Sequence, residues 1–113
     1  MEDEPWAVEF YVDRRGRKVV EEFVDDLPPA EQAQIAHELL LLRDFGLNAE
    51  STGARHVSSR IWELRPGGNR LFYFAHTGRR LIILHGYRKK GQKAPKREIA
   101  IAERRLVEVL RRG

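Results

Sequence analysis

Arg65, Arg70, His85 and Tyr87 are residue types that together could do acid–base chemistry on a phosphate. Guanidiniums are planar forks that match phosphate oxygens and stay charged at any cellular pH, while a histidine and a tyrosine can move a proton. All four fall in residues 61–96, IWELRPGGNRLFYFAHTGRRLIILHGYRKKGQKAPK, where short apolar runs alternate with basic and turn-forming residues.

Three strands are expected to position them, at 61–65, 70–75 and 80–87. Pro66-Gly67-Gly68-Asn69 and a turn around Thr77-Gly78 would join them as a meander. Suppose Arg65 pairs with Arg70 and His76 with Arg79. Period two then puts Ile61, Glu63, Arg65, Arg70, Phe72, Phe74, Leu81, Ile83, His85 and Tyr87 on one face, with Trp62, Leu64, Leu71, Tyr73, Ile82 and Leu84 on the other. Arg70 would lie opposite both Arg65 and His85. Like charges facing each other across strands are destabilising, and an anion held between them removes the conflict. Beyond the last strand come Arg88, Lys89, Lys90, Lys93, Lys96 and Arg97. Lys96 and Arg97 fall in the first turn of an expected helix, where the macrodipole is already positive, so residues 89–97 read as a phosphate-backbone clamp.

The remaining elements read as support. Residues 6–12 alternate as a half-buried strand, with Trp6, Val8, Phe10 and Val12 on one side. Val19, Val20, Phe23, Val24 and Leu27 form a helical stripe stopped by Pro28-Pro29. A second helix carries Ile35, Ala36, Leu39, Leu40, Leu42 and Phe45 as its apolar face, leaves His37 and Glu38 to water, and ends at Gly46. Residues 47–59 read as a loop, with Arg55 and His56 placed where the charge turns positive. A last helix opens at Ala94-Pro95 with Ile99, Ala102, Leu106, Val109 and Leu110 inward, and Arg97, Arg104 and Arg111 outward every seven residues.

The 113 residues fit one domain, 1–113, with a modest core. With no cysteine, disulfides and thiolate metal sites are excluded, and the acidic MEDEPW start is unlike a secretory signal, so a cytoplasmic location is expected, with no membrane partner. Residues 1–54 hold 5 Lys/Arg and 13 Asp/Glu, a net −8, whereas residues 55–113 hold 16 and 4, a net +12. That asymmetry points to an anionic partner for the second half, nucleic acid first among them.

No close-set His and carboxylate motif suggests a metal, no Gly-rich phosphate loop follows a strand, and no serine or cysteine nucleophile has a signature; no metal or other cofactor is expected. RNA cleavage needs none of these. The nucleophile is the RNA's own 2′-hydroxyl, so the protein supplies only proton-transfer groups and cations. His85 and Tyr87 are the acid/base candidates, Arg65 and Arg70 the phosphate holders, and Tyr87 could alternatively stack on a base. Arg55, His56, Arg88, Lys89, Lys90, Lys93, Lys96 and Arg97 are the RNA-binding candidates.

WELR at 62–65, RLFYF at 70–74, ILHGY at 83–87 and KKGQKAPKREIAIAERR at 89–105 resemble the RelE/ParE toxin superfamily, in its phage-derived Gp49-like, HigB-type branch. The resemblance covers nearly the whole chain, and the pattern K-K-x-x-K-x-P-x-x-E-I-x-x-A is its most specific part. It implies an α+β fold of order β-α-α-β-β-β-α. Two helices would pack on one face of a twisted, mainly antiparallel four-stranded sheet, with the last helix near the sheet edge or displaced by antitoxin. It implies a type II toxin that cleaves mRNA on the ribosome and is silenced by a cognate antitoxin, often a helix-turn-helix protein, in a toxin–antitoxin hetero-oligomer. It also makes Arg65, Arg70 and the 87–96 segment RNA-facing. A gyrase inhibitor of ParE type, or an RNA-binding module without catalysis, stands as the alternative.

Overall fold

Alternation over the β-branched and aromatic runs yields the expected central meander, and the computed structural model, which describes residues 4–46, 48 and 52–113, adds a strand at each side. The order is β1 (Ala7–Phe10), α1 (Val19–Asp25), α2 (Pro29–Phe45), β2 (Arg55–Ser58), β3 (Ile61–Leu64), β4 (Asn69–His76), β5 (Arg80–Arg88) and α3 (Lys96–Arg112). The strands form one sheet ordered β1-β5-β4-β3-β2, parallel only between β1 and β5.

Five strands replace the expected four. Arg55–Ser58, read as loop from its polarity, pairs antiparallel with β3 as an edge strand, a place where polar residues are tolerated because one side meets water. Of the rest of that expected loop, residues 47 and 49–51 lie outside the described residues.

The β3–β4 register is the one the sequence implies, with Leu64 opposite Leu71 and Trp62 opposite Tyr73. The β4–β5 register differs. His76 pairs with Arg80, not Arg79, because the turn takes in Arg79, and both Gly78 (φ 77°) and Arg79 (φ 56°) are left-handed there. The Arg79 guanidinium lies 4.7 Å from the centre of the Trp6 ring. A bulge between Phe72 and Tyr73 then shifts the pairing by one residue, so Arg70 faces Tyr87 and His85 faces Phe72. The expected opposition of Arg70 to His85 is thereby corrected, although Phe72, His85 and Tyr87 keep the common face assigned to them.

Helices cover both faces. Phe23 of α1 lies against Gly86 and Leu71, whereas α3 meets the face of Tyr11 and His85 through Glu108, Glu98 and Arg105. Phe72, Phe74, Leu64, Leu71, Ile83 and Leu84 are fully buried between these layers, with Ile35 and Leu42 from α2 and Ala102 from α3. α2 starts at Pro29 and ends at Gly46 (φ 54°), as its residues dictate. The Gln32 amide clasps the preceding turn by donating to the carbonyls of Asp25 (3.1 Å) and Leu27 (2.8 Å). The inward stripes are narrower than expected: Ala36, Leu40 and Phe45 of α2 and Leu110 of α3 are exposed, since each helix has only one flank against the core. Among the described residues, no helix is long and apolar enough to cross a membrane.

Candidate functional site

One row of side chains crosses the sheet beneath α3. Arg55 faces Glu63 across β2–β3, Glu63 faces Phe72 across β3–β4, and Phe72 faces His85 across β4–β5. Directly paired residues share a face, so these four lie together, with Arg70 and Tyr87 as the next pair along β4–β5.

Glu63 is at the centre and is 1% exposed. Its Oε2 accepts a 3.2 Å hydrogen bond from the Tyr87 hydroxyl, and its Oε1 lies 3.6 Å from Nη2 of Arg55. Burial, and then the neighbouring Glu63 charge, push the Tyr87 hydroxyl far above the ordinary range for a tyrosine, so it stays protonated. Arg70, on the same face, opposes that shift in part. Its Nη1 donates to the carbonyls of Gly67 (2.9 Å) and Asn69 (2.7 Å), so the Pro-Gly-Gly-Asn turn also orients a cation. Arg65 follows the last residue of β3 and is exposed; the ladder ends at Leu64–Leu71, which removes the expected strand-paired Arg65–Arg70 conflict.

His85 has both ring nitrogens engaged. Nε2 is 2.6 Å from Oε1 of Glu98 in the first turn of α3, and Nδ1 is 3.3 Å from Nη1 of Arg105, which also donates to the Leu84 carbonyl at 2.9 Å. Arg105 has only donors, so Nδ1 accepts and Nε2–H donates to the carboxylate, which describes the neutral ring. Burial lowers the His85 pKa, Arg105 lowers it further, and the Glu98 bond opposes both. The ring stacks on Tyr87, centroids 5.9 Å apart at 18°.

The basic segment divides by partner. Arg88 is tied to Glu31 of α2 and to Oδ1 of Asn69 (3.2 Å), and Asn69 holds Glu31 as well (2.9 Å). Arg97 lies 3.7 Å from Glu98 but is 75% exposed. Lys89, Lys90, Lys93 and Lys96 are exposed and form no ion pair among the described residues. The 89–94 loop closes over Glu63, Arg70 and Tyr87, and Lys93 and Ala94 also line a second cleft with Arg55 and His56. Lys93 and Ala94 thus stand between the space that the loop covers and the open cleft beside Arg55 and His56. His56 is exposed; its Nε2 is 2.6 Å from the Ser59 carbonyl, and its ring meets Trp62 edge-on at 5.4 Å.

Three participants escaped the sequence reading. Glu63 had a usable signal, a lone carboxylate that period two places on the Arg70/Tyr87 face. Glu98 had a weaker one, an acid in the first turn of a helix, where the dipole favours it. Arg105 had none, because its partners lie 20 and 21 residues away.

Residues 22–107 match the model of the family described as phage derived protein Gp49-like. The chain belongs to the Gp49-like family. The matched span includes every candidate site residue named above. The fold of this Gp49-like chain is also that of a chain in the crystal structure of the toxin-antitoxin complex RelBE2 from Mycobacterium tuberculosis, with a TM-score of 0.58 and 17% identity over 78% of this chain and 95% of that one. No curated protein matches.

Proposed function

We propose that this Gp49-like chain is the toxin of a type II toxin–antitoxin system, acting in the cytoplasm as a metal-independent endoribonuclease on mRNA at the ribosome. The observation that carries the reading is the convergence of Arg70, Tyr87 and the buried Glu63 under a loop whose exposed lysines form no ion pair among the described residues. Membership of the Gp49-like family and the fold shared with a toxin–antitoxin complex support it, and the second of these also motivates an antitoxin partner.

In the proposed reaction the 2′-oxygen attacks the adjacent phosphorus, its proton passes to a solvent water, and the bond from phosphorus to the 5′-oxygen breaks. Arg70 and Arg65 hold the phosphate and offset the charge that builds on its oxygens. Tyr87, kept protonated by burial and by Glu63, donates its proton to the departing 5′-oxygen. His85, bonded at both nitrogens and stacked on Tyr87, orients that phenol. Arg55, His56, Lys89, Lys90, Lys93, Lys96 and Arg97 track the flanking backbone, and Arg88 anchors the start of the loop against Glu31.

Inducing the protein without antitoxin and mapping mRNA 5′ ends tests this. Growth arrest with new internal ends is expected. Arrest with intact mRNA would overturn it, and a loss of gyrase supercoiling with purified protein would replace it by the gyrase-inhibitor reading.

A further inference from the structure

Strand β2 separates the basic cleft from a second concavity that the proposed reaction does not use. Arg55 and His56 are consecutive, and successive strand residues point to opposite faces. Arg55 pairs with Glu63 toward the basic cleft, while His56 pairs with Trp62, on the face of Tyr73. There Trp62, Tyr73, Ala75 and Arg60 line a cavity of about 340 Å³, within the usual range for a small-molecule site of roughly 300–1,000 Å³. Its walls are aromatic, Ala75 leaves room between them, and Trp62 is only half-buried although Tyr73 is 3% exposed. Burial raises the Tyr73 pKa to about 12, and its hydroxyl is already hydrogen-bonded to Thr52, which opposes that rise in part and fixes the phenol as a wall. Among the described residues, Arg60 adds the one cation. A flat, partly polar, uncharged group fits such walls.

We propose that this cavity holds one unpaired nucleobase, stacked on Trp62, of the RNA strand whose phosphates lie along Arg55 and Lys93; the inference rests on the RNA reading above. β2 is an edge strand, so a chain can round it from one face to the other, and Arg55 and His56 both line the cleft that Lys93 shares. The His56 ring, edge-on to Trp62, bridges the two sites. Aromatic platforms take bases in this way with little sequence preference, since every base has a π-face.

The chain has two tryptophans, so in a Trp6→Phe background Trp62 is the sole indole reporter. That protein is titrated with a fluorescent-labelled single-stranded oligoribonucleotide and with an abasic oligomer of equal length. Saturable quenching of Trp62 by the first but not the second is expected, with tighter binding of the first by about tenfold. Ala75→Leu, which fills the cavity, should bring the base-bearing oligomer down to the abasic affinity and leave the abasic affinity unchanged. An unfolded variant would lose both oligomers; Trp62→Leu, at a half-exposed position, then reads the same difference by anisotropy. RNA binding that is indifferent to bases and to Ala75→Leu overturns the nucleobase site alone and leaves the RNA reading standing. Failure of both oligomers to bind the parent protein overturns both. Trp62 emission that changes with protein concentration in the absence of RNA makes the cavity a contact between copies of the chain and overturns the inference.

Discussion

The Tyr87 hydroxyl donates to Oε2 of Glu63 at 3.2 Å, and the carboxylate that accepts it is 1% exposed. A buried carboxylate in a sheet needs compensation, and here it comes from one phenol and, more distantly, the Arg55 guanidinium at 3.6 Å. Tyr87→Phe removes the one side-chain hydrogen bond that the Glu63 carboxylate accepts among the described residues while keeping the packing, so it should cost about 1–3 kcal/mol in denaturant unfolding. Glu63→Gln should cost less, since an amide oxygen still accepts from the phenol. In a double-mutant cycle the two changes should be non-additive. Additive losses would show that the pair is not coupled.

Arg70 and Arg65 should part company. Arg70 is oriented by two turn carbonyls and sits beside Tyr87, whereas Arg65 is exposed beyond the end of β3. Removing one preorganised charge-stabilising donor commonly costs about 10²–10³ in rate. Arg70→Ala should approach that loss in mRNA cleavage with an unchanged circular dichroism spectrum, and Arg65→Ala should lose less. Equal losses, or unfolding of Arg70→Ala, would contradict this ranking.

The lysines of the loop should act through ionic strength. Lys89 and Lys93 are exposed and have no carboxylate partner among the described residues, so each is free to release a counterion from RNA. Alanine at either position should lower the slope of log affinity against log salt by about 0.7 for single-stranded RNA. Arg88→Ala should instead lower stability, because Arg88 ties β5 to Glu31 of α2. An unchanged slope in both lysine variants would reduce them to ordinary surface charge.

His85 gives a pH signature. Burial and Arg105 depress its folded pKa below the unfolded value of 6.5. The unfolded chain therefore takes up a proton first as pH falls, and the stability that neutral His85 contributes is present above pH 6.5 and is lost as pH falls through the folded pKa. Parallel denaturant unfolding at pH 7.5 and 5.5 should show the parent losing more stability than His85→Gln. Equal losses would mean that the ring is not held neutral.

What the sequence revealed and what it hid divide along the range of the interactions. Helix ends at Pro29 and Gly46, the Leu64–Leu71 register and the shared face of Phe72, His85 and Tyr87 follow from local turn chemistry and period two. The β4–β5 bulge does not, because a one-residue shift costs little locally and is fixed by tertiary packing. β2 was hidden for a related reason: an edge strand of RHVS has no apolar alternation to betray it. The candidate site was half legible. Its cations and phenol stand in short motifs, but the carboxylates and Arg105 that set their protonation come from distant segments.

Gly86, in the middle of the ILHGY motif, is small because α1 packs there. A Cβ at this position would come within 2.6 Å of Cδ2 of Phe23 and 3.0 Å of Cδ2 of Leu71. Both neighbours are rings or branches in the core, so relief requires α1 to move away from β5, and that would disturb Tyr87 one residue on. Overpacking of this kind costs about 1–3 kcal/mol, and Gly86→Ala should lose that much in thermal or denaturant unfolding. Phe23→Leu makes room beside it, so the double variant should be more stable than the sum of the two single losses predicts. A fully additive double variant would show that Phe23 is not what holds residue 86 to glycine.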